Sequence, residues 1–367
     1  QTTVTLETYG VSPGQVEADT VGNPGYIGIL DWAYNGLLNV GVGTHMFLEG
    51  SGDATLASPA WDVLVAPATS SATVTSITDI DTSTQLAIFI PDVAGTYEVE
   101  FSSNSVSDTI TINAGTYLGV EGGSPSCASC HNDKFTAWQG TGHSDILDRA
   151  LGGTLSDHYS ESCISCHTTG YDTAATAVND GFDDFPFVFP DSLGPGILDS
   201  MIQEYPDAMA RANIQCEACH GPGSRHSGNT ADNRMVANLS EATCAYCHQA
   251  GSHHVYPSQW AVSRHANPLY AERGASASCA PCHSGAGFVA YIKNGKQSLS
   301  SAPEVTAITC AVCHDPHDAT NPNQLRTVSV TLENGEMITN AGKGALSPNC
   351  CRTVASSTRI RRASFCT

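Results

Sequence analysis

The sequence predicts two unlike parts and a tail. Residues 1–116 read as an all-β sandwich, residues 117–345 as a mostly irregular region of loops and short helices, and residues 346–367 as a basic C-terminal tail. Three observations carry this. The first part holds no cysteine and a single histidine, His45. The second holds six copies of Cys-x-x-Cys-His between Cys127 and His314. Between them, Asn113-Ala-Gly-Thr-Tyr-Leu-Gly-Val-Glu-Gly-Gly-Ser-Pro125 carries the Gly and Pro punctuation of a boundary.

Within the first part, short β-prone runs at 2–7, 72–77, 85–90, 96–101 and 107–113 alternate apolar and polar residues between Gly, Pro, Asp and Ser breaks. Regularly spaced short strands predict a sandwich. Pro91-Asp92-Val-Ala-Gly95-Thr-Tyr97-Glu-Val resembles the turn and tyrosine corner of immunoglobulin-like domains, with Tyr97 as the corner and Trp61 as a candidate core tryptophan. With no cysteine for a disulfide, the core rests on packing, for which this length suffices. The domain reads as a spacer or packing platform rather than a ligand-binding module.

The six motifs are Cys127-Ala-Ser-Cys130-His131, Cys163-Ile-Ser-Cys166-His167, Cys216-Glu-Ala-Cys219-His220, Cys244-Ala-Tyr-Cys247-His248, Cys279-Ala-Pro-Cys282-His283 and Cys310-Ala-Val-Cys313-His314. This is the attachment signature of c-type haem. Two thiols bond covalently to the porphyrin edge, and the adjacent histidine supplies the proximal iron ligand. Zinc sites also use Cys-x-x-Cys pairs, but they do not need a histidine after each second cysteine. A thioredoxin-like motif needs one pair in a βαβ setting, not six in Gly-rich loops. The cofactor expected is therefore haem c, six copies. With about 30 residues per motif, the region is too short for a conventional core and is expected to wrap around its porphyrins.

An internal repeat organises these motifs. Trp138-Gln-Gly-Thr141-Gly-His143 matches Trp260-Ala-Val-Ser263-Arg-His265. The motifs at His167 and His283 run on into Gly, and those at His220 and His314 into Pro and a further histidine. Two three-haem modules result, at about 127–226 and 244–317. The Asp-, Phe- and Pro-rich segment 171–212 is an insertion in the first and reads as a surface loop packed on the haem array.

Of the fourteen histidines, six are proximal. Excluding His45, seven remain for six distal positions: His143, His158, His226, His254, His265 and His317, with His253 as the alternative to its neighbour His254. So close a match predicts two histidine ligands on every iron. His317 lies too near His314 to reach the opposite face of the same haem and is assigned to a neighbouring one, as is His226 beside His220. His45 reads as a surface or half-buried residue, with donation to a haem of a neighbouring subunit as the alternative. Met201, Met209 and Met235 read as core filling rather than axial ligands.

Composition bounds the setting. A formal net charge of −21, from 36 acidic against 15 basic side chains, argues against nucleic acid and anionic membrane surfaces as partners. Fifteen cysteines are unusual in a reducing cytosol, and covalent haem attachment in bacteria and archaea takes place outside the cytoplasmic membrane. The chain is thus expected at the cell surface or outside the cell, with the periplasm as the alternative. Gln1 reads as a mature N-terminus, and no apolar run reaches the roughly 20 residues of a membrane span. In the tail, Arg352, Arg359, Arg361 and Arg362 accompany Cys350, Cys351 and Cys366, which no motif claims.

Over about residues 70–345 the sequence resembles the secreted multihaem c-type cytochromes of metal-reducing and related anaerobic bacteria. Cys163-Ile-Ser-Cys-His-Thr-Thr-Gly-Tyr171, Gln215-Cys-Glu-Ala-Cys-His-Gly-Pro-Gly-Ser-Arg-His226 and Thr309-Cys-Ala-Val-Cys-His-Asp-Pro-His317 carry the resemblance. It implies electron transfer between redox proteins and extracellular acceptors in anaerobic respiration, with assembly into a homopolymeric filament, because some members of the group polymerise. The competing expectations are an oxidoreductase acting on a small nitrogen or sulfur compound, which needs an open iron position, a non-polymeric periplasmic shuttle, and an adhesive surface protein.

Overall fold

The alternating runs do form strands. The computed structural model describes residues 3–12, 38–79, 81–229, 235, 239–248, 256–261, 263–266, 272–303, 305–331, 337–339 and 346. His253, His254, Cys350, Cys351 and Cys366 lie outside them. The chain divides into two compact units, Gln1–Trp260 and Ala261–Thr367.

Eight strands open the first unit: β1 (Val4–Ser12), β2 (Asn39–Gly41), β3 (His45–Gly52), β4 (Ala60–Val65), β5 (Val74–Asp79), β6 (Thr84–Phe89), β7 (Gly95–Ser103) and β8 (Val106–Gly115). They make two four-stranded sheets, ordered β1-β3-β6-β5 and β2-β8-β7-β4. All pairings are antiparallel except that of β2 with β8. β7 buries every second residue, including Tyr97, Val99 and Phe101, as a strand with one face on a core should. Those side chains pack with Leu6, Met46, Leu48, Phe89 and Ile112.

Tyr97 is fully buried, yet its hydroxyl is satisfied. It donates to Val93 O at 2.8 Å and accepts from Val93 N at 3.0 Å. Tyr97→Phe keeps the ring and strands these groups, so it should lower stability by about 1–2 kcal/mol, read as a shift in the urea midpoint of the haem-loaded chain. Trp61 is only partly buried. It packs on Phe101 with ring centres 4.6 Å apart, and its indole N–H donates to Gln85 Oε1 of the opposite sheet at 2.6 Å. It ties the sheets together at the margin of the core.

A hydrogen-bonded seam holds this β region to later loops of the same unit. Asn39, buried in β2, donates to His220 O and Pro222 O, both at 3.0 Å. Between those carbonyls, Gly221 has φ +77°, and a Cβ there would lie 2.0 Å from Asn39 O. Asn179 donates to Val42 O at 3.1 Å and Thr176 to Gly43 O at 2.7 Å. Because the Thr176 hydroxyl spends its proton on Gly43, it accepts from His45 Nε2 at 2.8 Å. His45 is thus half-buried and held within its own chain.

Between Gly115 and Val330 the described residues are loops and short helices. The insertion differs from the expected surface loop. Phe182, Met201, Ala208 and Met209 from it join Leu147, Leu151 and Ile164 in a second apolar core. The apolar residues of its helices, Ile197–Glu204 and Pro206–Met209, supply the methionines. This stretch therefore has a polypeptide core of its own, besides whatever it wraps.

The repeat is visible as hydrogen bonds. In the first unit Ile214, two residues before Cys216, donates its N–H to His143 O at 3.0 Å. In the second unit Ile308, two residues before Cys310, donates to His265 O at 3.2 Å. Strand-like runs at 325–332 and 336–339 predict a hairpin around Asn334-Gly335, which lies outside the described residues. The second unit pairs β9 (Val330–Thr331) with β10 (Met337–Ile338) antiparallel, over a shorter span.

Candidate haem-binding site

Every motif sits on a single helical turn. The helices are Cys127–Cys130, Ile164–His167, Cys216–His220, Ala242–His248, Ala280–His283 and Cys310–Cys313, the second continuing a 3-10 turn at Glu161–Cys163. A helical turn brings residues three apart onto one face, so both sulfurs of a pair can meet one flat edge. The following histidine stays close because its N–H returns to the first cysteine: His131 N to Cys127 O at 2.9 Å, His283 N to Cys279 O at 3.0 Å, His314 N to Cys310 O at 2.9 Å. None of the twelve motif cysteines is paired in a disulfide. Among the described residues no three His, Cys, Asp or Glu side chains converge as a bare metal ion requires.

Two predicted distal histidines face proximal ones. His226 stands opposite His131 with ring centres 6.4 Å apart and ring planes 31° apart. His143 stands opposite His248 at 6.3 Å and 56°. A metal–imidazole bond is about 2.0–2.1 Å, and roughly 1.1 Å more reaches each ring centre, so trans imidazoles on one metal lie about 6.3 Å apart. Both separations match that value. Burial pushes the His143 imidazole below its ordinary range, favouring the neutral form a metal requires. His226 Nδ1 is buried with no hydrogen-bond partner.

Other histidines have Nδ1 engaged, which leaves Nε2 for a metal. His314 Nδ1 lies 2.7 Å from Asn323 O; a carbonyl only accepts, so Nδ1 carries the proton and Nε2 is a bare lone pair. His167 Nδ1 lies 2.9 Å from the Tyr159 hydroxyl. Exposed His158 places Nδ1 2.9 Å from Ser156 Oγ, and half-buried His317 places it 3.4 Å from Asp315 Oδ1. His317 and Arg326 hold the Asp315 carboxyl well below the usual range. His265 lies exposed.

The motifs of the first unit also touch one another. The side chain of Cys127 lies beside that of Cys216. The sulfur of Cys247 lies 3.6 Å from Cys166 O. The first and third motifs are therefore neighbours, as are the second and fourth. Sequence reasoning missed three supports of the site: Asn39 on the third motif, Tyr159 behind His167, and Glu217 inside the third motif. Glu217 is 2% exposed and gathers the N–H groups of Leu118, Gly119 and Gly223.

Comparison with known proteins agrees with this chemistry. The family Cytochrome c554 and c-prime matches residues 126–184, which contain the first two motifs. The Multiheme cytochrome MtrA of Shewanella baltica (strain OS185) is 26% identical over 206 residues, covering 50% of this chain. The match spans about half of that relative, 54% of its length. No solved structure matches the chain. With covalent haem implied by both similarities and the residues to hold it in place, the chain is a multihaem c-type cytochrome.

Proposed function

We propose that this cytochrome carries electrons through six covalent haems, each with two histidine ligands, between redox partners and an acceptor outside the cell. The observation that carries the reading is the spacing of His131 with His226 and of His143 with His248. Bound haem supplies an iron that changes by one electron. The cysteines would anchor it by its edge and two imidazoles would hold its iron, leaving no position for substrate. In each pair the distal histidine follows a different motif from the proximal one, so ligation ties motifs together. The closeness of Cys127 to Cys216 and of Cys247 to Cys166 supports anchoring points that lie side by side, as electron hopping requires.

His158, His254 (or His253), His265 and His317 complete the ligand set for His167, His220, His283 and His314. The domain boundaries stand at 116 and 345, with modules at 127–226 and 244–317. The β region is immunoglobulin-like, a reading supported by its strand order and by the Tyr97 hydroxyl bond four residues back. The protein works at the cell surface as subunit of a homopolymeric filament; among the described residues no helix is long and apolar enough to cross a membrane.

The test begins with intact mass, which should show six haems per chain. Carbon monoxide added to dithionite-reduced protein should then leave the Soret band unmoved. A clear shift would reveal an open iron position and favour the oxidoreductase reading. Electron microscopy should show long uniform filaments; discrete particles at every concentration and pH would leave a shuttle.

A further inference from the structure

One buried polar side chain beside the second motif is absent from any ligand set. Tyr159 precedes Cys163 and is 8% exposed. Its ring lies nearly parallel to that of His167, with centres 5.3 Å apart and planes 27° apart, and its hydroxyl is 2.9 Å from His167 Nδ1. On its other side Phe189 stacks at 6.2 Å and 23°. The phenol is thus packed between two rings with its oxygen aimed at the back of the proximal imidazole.

We infer that Tyr159 is a positioning residue that sets the reduction potential of the haem held at His167. This rests on the reading that His167 carries one. Once Nε2 binds iron, the only ring proton is on Nδ1, and Tyr159 must accept it. An accepted Nδ1 proton leaves the imidazole richer in electrons, which favours the oxidised iron and lowers the potential. His314 meets a different acceptor, the backbone carbonyl of Asn323 at 2.7 Å. A carbonyl cannot be removed by substitution, whereas the Tyr159 hydroxyl can, so the tuning at His167 is open to a point change.

The experiment uses the full haem-loaded chain. Intact mass of the wild type and of C163A/C166A comes first. Failure to lose one haem in the double variant would sink the reading beneath this one. With that haem established, spectropotentiometric titration and low-temperature EPR are compared for wild type and Tyr159→Phe. The expected result is one midpoint moved to more positive potential, the same one that C163A/C166A lacks, with one altered low-spin signal and the others unmoved. A titration superimposable on wild type, with all haems present, overturns the inference. Should Tyr159→Phe fail to mature, 3-fluorotyrosine at position 159 keeps the stack and weakens the acceptor. It should give a smaller shift of the same sign, and no shift would equally overturn the proposal.

Discussion

Glu217→Ala should lower the stability of the haem-loaded chain by roughly 3–5 kcal/mol, among the largest effects a single change here can have. The carboxylate is 2% exposed and sits between the two cysteines of its motif. It accepts from Leu118 N at 3.0 Å, Gly119 N at 2.7 Å and Gly223 N at 2.6 Å. Burial pushes its pKa up, against the pull of those three donors. Alanine strands all three N–H groups away from water, and each stranded group costs about 1–3 kcal/mol. Glu217→Gln keeps one acceptor oxygen and should recover part of the loss. Thermal unfolding followed at the Soret band gives the total. Hydrogen exchange at the amides of Leu118, Gly119 and Gly223 gives its location: these three should lose protection first. A loss under about 1 kcal/mol would mean that water or the loop makes good the missing acceptor.

Asp172→Asn should stabilise the protein at pH 7 and change little at pH 4. Asp172 is 8% exposed, and burial pushes its pKa up to about 6, against its hydrogen bonds from Ala174 N and Thr44. Asp183 adds to the rise and His45 opposes it. In the unfolded chain the group titrates near 3.9. Between about pH 4 and pH 6 the folded state therefore binds more protons than the unfolded one, so stability falls as pH rises through that window and levels above it. A difference of about two pKa units corresponds to roughly 3 kcal/mol lost by pH 7. Asparagine cannot ionise and escapes that loss, less whatever the Ala174 bond was worth with a charged acceptor. Unfolding midpoints of both proteins at pH 4, 5, 6 and 7 should diverge steadily; parallel curves would sink the assignment.

What the sequence made legible was local. Cys-x-x-Cys-His is complete within five residues, so all six motifs could be read directly, and each lies on a short helix. The predicted strands that alternate cleanly, such as 96–101 and 107–113, lie within β7 and β8. Three other strands were missed for identifiable reasons. β3 buries Met46, Phe47 and Leu48 in succession, which breaks the period of two. β2 has three residues, and β4 exposes Leu64 and Val65 at a sheet edge. The closeness of His131 to His226 and of His143 to His248 could not be read from sequence, because nothing local records which distant loop folds onto which motif. The insertion was misjudged for a similar reason: its aromatic and Pro content reads as loop, while its burial depends on Leu147 and Ile164 far upstream. Tyr159 and Asn39 gave no signal at all, each being a single polar residue whose role exists only once the chain has folded.

The bond from Asn39 to the carbonyl of His220 joins positions 181 apart. That separation sets an order of assembly. The β region is synthesised first, yet Asn39 has nothing to hold until the third motif exists, with Gly221 bent to present the carbonyls on either side of it. Contacts this distant in sequence form late, because a long loop must close before they reward it. The earliest-made domain is thus among the last to be finished. A chain stopped before residue 216 lacks both carbonyls that Asn39 holds.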